Sequence, residues 1–263
     1  MVSVIIPAYN SEKTIVRAIK SVILQTYKTW EVIIVDDGSK DRTVGVVEDF
    51  MTSLPMTYAD KITLHKQINQ GPSVARNKGI EISNGEYIAF LDSDDEWSVE
   101  NKLELQMKYF TEDPSIALCG AGHDKKRINS NLDFKIISFN QLLLKNYFAT
   151  PAVILKKEIF NIFKFDISKK YSEDFKLWLQ ICYNYKCVYI NSVLSNNQEG
   201  KRRYGVSGLS VDLFAMEKGE LLTYYDLYKM NMIGGLKFVF ICSFSLFKYF
   251  VRLIKTGIYK LIG

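Results

Sequence analysis

The stretch Glu31-Val32-Ile33-Ile34-Val35-Asp36-Asp37-Gly38-Ser39 decides the fold. Its four consecutive β-branched residues favour a strand, and a strand apolar on both faces belongs inside a sheet that is covered on both sides. The run then stops abruptly at two carboxylates, a glycine and a serine, a turn signature. In an open α/β sheet, ligands bind just beyond the carboxyl ends of the strands, so this turn is a candidate functional loop.

Reading outward, the same pattern repeats. Val2 to Ile6 predicts a first strand, and Ile15, Ala18, Ile19, Val22 and Ile23 at helical spacing predict a helix capped by Ser11. Val46, Val47 and Phe50 mark a second helix, and Ile62 to His65 another strand. A helix opened by Gly71-Pro72 and closed by Asn84-Gly85 leads into the strand Tyr87 to Leu91. Alternating strands and helices of this kind predict a Rossmann-like, mostly parallel central sheet in an α/β fold. The second half is less regular. Strands are expected at Ile116 to Cys119 and Val153 to Leu155, a polar insertion at His123 to Asp133, and a helix from Ser172 to Tyr185 that buries Phe175, Trp178, Leu179 and Cys182.

With 263 residues, 48% hydrophobic and 24% charged, the chain suits one large soluble domain with a short appendage and excludes a disordered or polytopic membrane protein. All of its net charge of +5 lies in residues 231–263, which hold Lys237, Lys248, Arg252, Lys255 and Lys260 and no acid. The rest balances 29 bases against 29 acids, so a nucleic-acid partner is not expected. Four cysteines without CxxC spacing and two histidines disfavour a zinc site. Val2 begins a strand directly, with no secretory signal before it, so a reducing, cytoplasmic setting with free buried thiols is expected.

Three strand ends carry the chemistry: Pro7-Ala8-Tyr9-Asn10, Asp36-Asp37-Gly38-Ser39 and Asp92-Ser93-Asp94-Asp95. Five acids on two of these ends repel unless a cation or a donor-rich ligand is shared among them. Oxygen ligands alone favour Mn2+ or Mg2+, and such an ion favours a phosphate-bearing substrate.

At these residues the chain resembles glycosyltransferase family 2, the inverting nucleotide-sugar transferases of GT-A fold. The matching pieces are Val4 to Asn10, Ile34 to Ser39, Gly71 to Asn77, Tyr87 to Asp95, and Ser172-Glu173-Asp174 leading into Leu177-Trp178-Leu179, in the family's order over roughly residues 2–210. The resemblance implies a catalytic domain over 1–210, with a nucleotide-sugar half over 1–120 and an acceptor half over 121–210. It implies that Pro7 and Tyr9 line the base pocket, that Asp37 accepts from uracil, and that Asn69 and Arg76 bracket the nucleotide's far edge. Asp92 would hold ribose or sugar hydroxyls, with Ser93 and Glu173 in the same donor-binding set, and Asp94 would hold the Mn2+ or Mg2+. The catalytic base falls on Asp174, which the helix dipole is expected to keep charged at neutral pH. A pyrophosphate loop falls on Arg203, or Arg202 beside it, and Ser207.

The implied partners are a UDP-sugar donor carrying a hexose or N-acetylhexosamine and a lipid-linked bacterial surface glycan as acceptor. A non-catalytic nucleotide-sugar-binding scaffold is the alternative. Residues 211–263 read as a helical tail whose longest uncharged run, Phe238 to Phe247, is ten residues and too short to span a bilayer. Lys237, Lys248, Arg252 and Lys255 form one stripe on a helical wheel, a pattern that suits the anionic inner face of the bacterial cell membrane or a helix packed on the body.

Overall fold

The computed structural model describes residues 1–124, 132–197 and 212–262, with side chains through 256. In chain order the first half runs β1 (Val2–Ala8), α1 (Ile15–Ile23), β2 (Trp30–Asp36), α2 (Thr43–Ser53), the single-turn α3 (Met56–Ala59), β3 (Ile62–Lys66), α4 (Pro72–Ile82), β4 (Tyr87–Phe90), β5 (Asp95–Trp97) and α5 (Lys102–Glu112). The second half adds β6 (Ile116–His123), β7 (Phe134–Ile136), α6 (Phe139–Leu144), β8 (Ile154–Lys156), α7 (Glu173–Asn184), β9 (Lys186–Asn197), α8 (Leu213–Lys229) and α9 (Gly235–Ile262).

All nine described strands form one sheet in the order β3-β2-β1-β4-β8-β6-β9-β5, with β7 paired to β9. The block β3-β2-β1-β4 is parallel throughout, as the apolar runs predict. Beyond β4 the sheet is mixed: β8 runs antiparallel to β4 and β6, and β9 is parallel to β6 but antiparallel to β5 and β7.

Period-two alternation explains why the central strands are apolar at every position. Val2, Val4 and Ile6 of β1 and Val32 and Ile34 of β2 join the core beneath α1, together with Ile15, Ala18, Ile19 and Val22. Ile5 of β1 and Ile88 and Phe90 of β4 point the other way, into a core shared with Leu177, Trp178 and Ile181 of α7. Tyr224 and Leu227 of α8 and Ile241 of α9 belong to that second core, so the C-terminal helices are packed against the sheet and α7 side of the fold. The expected boundary at residue 210 lies outside the described residues, within 198–211.

Two local expectations are corrected. Thr14, not Ser11, precedes the first residue of α1, and the Ser11 hydroxyl instead pairs with Ser93 Oγ at 2.7 Å, across to the end of β4. Ser172 does precede α7, but in a left-handed conformation with φ 61° and no side-chain cap bond. Such a backbone costs a non-glycine residue about 1–2 kcal/mol.

The four cysteines are free, three of them buried. No described helix is long and apolar enough to cross a membrane.

Candidate functional site

Parallel register brings the three strand ends to one edge. Ala8 faces Asp36 across the β1–β2 pair, Asp37 N donates to Ala8 O at 2.8 Å, and Leu91 N donates to Ile5 O at 3.1 Å. Beyond that edge lies a cavity of about 990 Å³ lined by Pro7, Tyr9, Asp37, Asn69, Arg76, Asp92, Ser93 and Asp94. Eight sequence-predicted residues thus converge on one space.

Their local settings differ. Asp37 is almost fully buried at 3% exposure and organises the 67–71 turn. Its Oδ1 accepts from Gln67 Nε2 at 2.7 Å and Gln70 N at 2.9 Å, and its Oδ2 accepts from Gly71 N at 2.7 Å. A carboxylate offers about four acceptor positions, so one is left toward the cavity. Asn69 Nδ2 donates to Asp37 O at 2.9 Å, and Gly38 adopts φ 73° where an added Cβ would meet Asn69 N at 2.8 Å. Tyr9 is 46% exposed, free to present its ring to a flat ligand.

Asp94 is exposed, its backbone held by Arg17 Nη2 donating to Asp94 O at 3.3 Å while Arg17 Nε pairs with Glu96. Among the described residues no three His, Cys, Asp or Glu side chains cluster to hold a metal alone. Asp94 on the cavity wall instead matches the hard ions that take one or two carboxylates and complete their shell with substrate phosphates and water. The donor set therefore fits Mn2+ or Mg2+.

A second cavity of about 710 Å³ is lined by Glu173 and Asp174 from the start of α7, by Thr150, and by residues of α8 and α9. Arg76, Asp92 and Lys170 line both cavities, so the two spaces meet at these three side chains. Arg76, expected at the nucleotide's edge, lines the larger cavity and stands at this junction, 8% exposed, with Nη2 2.8 Å from Asp92 Oδ1, Nη1 3.1 Å from Glu173 Oε1, and the Phe165 ring beneath it.

Asp174 keeps limited solvent access at the cavity floor. Its Oδ1 accepts from Phe175 N at 2.6 Å and its Oδ2 from Thr150 Oγ1 at 3.4 Å. The helix dipole was expected to keep Asp174 charged at neutral pH; burial acts against it and raises the Asp174 pKa, opposed by the pull of Arg76. Magnitudes explain the outcome, because the dipole is worth about 0.3–1 kcal/mol, under one pKa unit, whereas burial can move a carboxyl by several. Burial also raises Glu173, to about 7, with the Asp174 charge adding to the effect.

Lys170 and Thr150 escaped the sequence reading. Thr150 gives no signal, whereas the Lys169-Lys170 pair just before Ser172 does. Arg203 and Ser207 lie outside the described residues.

The basic stripe of α9 packs largely on the body, the second of the two settings expected for it. Lys248 Nζ pairs with Glu220 Oε1 at 2.9 Å, and Arg252 Nη2 pairs with Glu217 Oε2 at 2.7 Å. Lys237 bonds Asn140 Oδ1 and lies over the Phe139 ring. These cations face acids and aromatics of the protein, while Leu236, Phe240, Phe247, Phe250 and Ile254 are exposed on another face of the helix.

Comparison with known proteins places the family and the fold. The sequence model of glycosyl transferase family 2 matches residues 3–173, well over half of the chain. WfgD of Escherichia coli, named UDP-Glc:alpha-D-GlcNAc-diphosphoundecaprenol beta-1,3-glucosyltransferase, is 33% identical over 226 residues, covering 79% of this chain and 85% of WfgD. The crystal structure of S. aureus TarS 1-349 in complex with UDP-GlcNAc superimposes with a TM-score of 0.67 at 21% identity, covering 86% of this chain and 66% of that one. Mannosyltransferase PcManGT from Pyrobaculum calidifontis, in complex with GDP-Man and Mn2+, gives a TM-score of 0.68 at 17% identity, covering 99% and 80%. At such identities the two superpositions establish the GT-A fold. By the family match and the WfgD relationship, the chain belongs to glycosyl transferase family 2 and is a glycosyltransferase.

Proposed function

We propose that the chain transfers a hexose or N-acetylhexosamine, with inversion, from a UDP-sugar to a hydroxyl of a lipid-linked bacterial surface glycan. The observation that carries this reading is the junction of the two cavities. Carboxylates and an exposed tyrosine suited to a nucleotide line the larger space, and Asp174, bound by Phe175 N, lines the smaller one beside Glu173, just across Arg76 and Asp92. WfgD, at 33% identity, supports both a UDP-sugar donor and a lipid-diphosphate-linked acceptor.

In this reading Pro7, Tyr9, Asp37 and Asn69 hold the nucleotide, Asp92 holds ribose or sugar hydroxyls, and Asp94 would hold Mn2+ or Mg2+, which when bound neutralises charge on the diphosphate. The acceptor oxygen attacks the anomeric carbon from the side opposite the diphosphate. Its proton passes to Asp174, the bond from the anomeric carbon to the phosphate oxygen breaks, and UDP leaves. Arg76 acts by position: it fixes Asp92 and Glu173 and lets one negative charge persist at the buried Glu173 and Asp174 pair.

The exposed apolar face of α9 lies on the lipid surface that carries the acceptor, at the inner face of the cell membrane, so attachment relies on the apolar side chains rather than on the basic stripe.

The test is turnover of purified full-length chain with UDP-glucose, UDP-galactose and their N-acetyl forms, Mn2+, and a GlcNAc-diphosphate lipid. Acceptor-dependent UDP release with an inverted anomeric centre by NMR is expected. Absence of both transfer and donor hydrolysis with every donor would overturn the reading in favour of a binding scaffold.

A further inference from the structure

We propose that the smaller cavity contains a second anion site, distinct from that for the donor, in which Lys145, Lys248 and Arg252 take the diphosphate linking the acceptor sugar to its polyprenyl chain. The proposal rests on the lipid-linked acceptor reading and deepens it.

The wall opposite α7 comes from the end of α6, from α8 and from α9, and it is basic. Lys145, Lys248 and Arg252 stand there against one lining acid, Glu220. Glu217 and Glu220 hold the Arg252 and Lys248 head groups at 2.7 and 2.9 Å, so two of the cations are preorganised before any ligand arrives. Lys145 is not salt-bridged to a described residue and lies near the Tyr147 ring at 4.9 Å. That ammonium leaves the wall with one uncompensated positive charge.

A neutral sugar hydroxyl gains nothing specific from such a wall, but an anion attached to the acceptor does. The donor diphosphate does not account for it, because Lys145, Lys248 and Arg252 line only the cavity that holds Asp174. The cavity, at about 710 Å³, is in the range of about 300–1,000 Å³ for sites enclosing whole ligands.

The same helix offers the other half of the ligand's chemistry. At 3.6 residues per turn the exposed Leu236, Phe240, Phe247 and Ile254 lie about 80–120° around α9 from Lys248. A diphosphate bonded to a hydrocarbon chain meets cations on one flank of α9 and an apolar surface on the next. Free phosphate would use only the first, and a bilayer alone only the second.

The test uses full-length chain with UDP and Mn2+ at saturation, so that the donor cavity is filled, and geranyl diphosphate as the probe in calorimetry. Binding is expected, with geraniol and inorganic diphosphate each weaker. Lys145→Ala, an exposed position outside the donor cavity, should weaken geranyl diphosphate about fivefold and Lys145→Glu about tenfold, with UDP affinity unchanged. Absent binding, wild-type affinity in both variants, displacement of the probe by UDP, or geraniol binding as tightly as its diphosphate would each overturn the proposal. Because the readout is binding with the donor site occupied, its failure is distinguishable from a failure of sugar transfer.

Discussion

Arg76 and Glu173, 97 positions apart in sequence, meet with Nη1 3.1 Å from Oε1, and the same guanidinium reaches Asp92 with Nη2 2.8 Å from Oδ1. One planar cation therefore ties α4 to the end of β4 and to the first residue of α7, beside Asp174. Removing it leaves Asp92 and the buried Glu173 without the cation they share. Arg76→Ala should cost about 3 kcal/mol in urea unfolding, and Arg76→Lys should recover only part, since an ammonium cannot reproduce the two-pronged geometry. A loss below about 1 kcal/mol for Arg76→Ala would show that the junction is held by other contacts.

The raised Glu173 pKa fixes the sign of a pH effect. Its carboxyl ionises near 4.5 in the unfolded chain but near 7 in the folded one, so the native state binds more protons between those values. Stability contributed by the protonated form is complete below pH 4.5 and is lost as pH rises toward 7. Glu173→Gln removes this dependence, so its stability relative to wild type should climb from pH 4.5 to 7 by an amount on the order of 2 kcal/mol. A pH-independent difference in urea midpoints would contradict it. Activity should show the opposite trend, rising with pH as the buried pair loses its proton.

Gly38 carries the strand-end turn through φ 73°, with Asn69 N 2.8 Å from the place of an added Cβ. Gly38→Ala should lower stability by about 1–3 kcal/mol and weaken UDP binding, because Asn69 and the Asp37 backbone it bonds would shift. Gly45→Ala, inside α2 with open space around its Cα, is the control and should raise stability by about 0.5–1 kcal/mol. Equal thermal shifts in the two variants would sink the argument.

Phe247 and Phe250, 64% and 61% exposed, test how α9 meets lipid. Replacing both by Ser should reduce sedimentation with vesicles at least about tenfold, on neutral as well as anionic lipid. Lys255→Ala should have a small effect. Binding abolished by Lys255→Ala and untouched by the double Phe variant would restore the basic stripe as the anchor.

The parallel block of the sheet was legible because β1, β2 and β4 are apolar on both faces, a pattern that only strands covered on both sides can show. The helix α5 was not, since its buried face includes Lys102 and Gln106 as well as Leu103, Met107 and Phe110, which hides the 3.6-residue period. Gln106 is satisfied by Cys119 O and Ala152 O, partners that exist only after folding. The strand β9 escaped for a related reason: its pairing with β6 shifts register three times, and polar residues fill its second half. At the site, the acidic strand ends could be read directly, but the Arg76–Glu173 contact could not. The stripe on α9 was visible, yet its orientation depended on Glu217 and Glu220 of α8, one turn apart and facing it.

The account stands most directly on Asp174 as the group that takes the acceptor's proton. Asp174→Asn keeps the shape and the bond from Phe175 N but cannot accept a proton, so acceptor-dependent UDP release should fall by at least about a hundredfold while calorimetric UDP affinity with Mn2+ stays within about twofold. Turnover within about threefold of wild type, at unchanged UDP affinity, would contradict the mechanism.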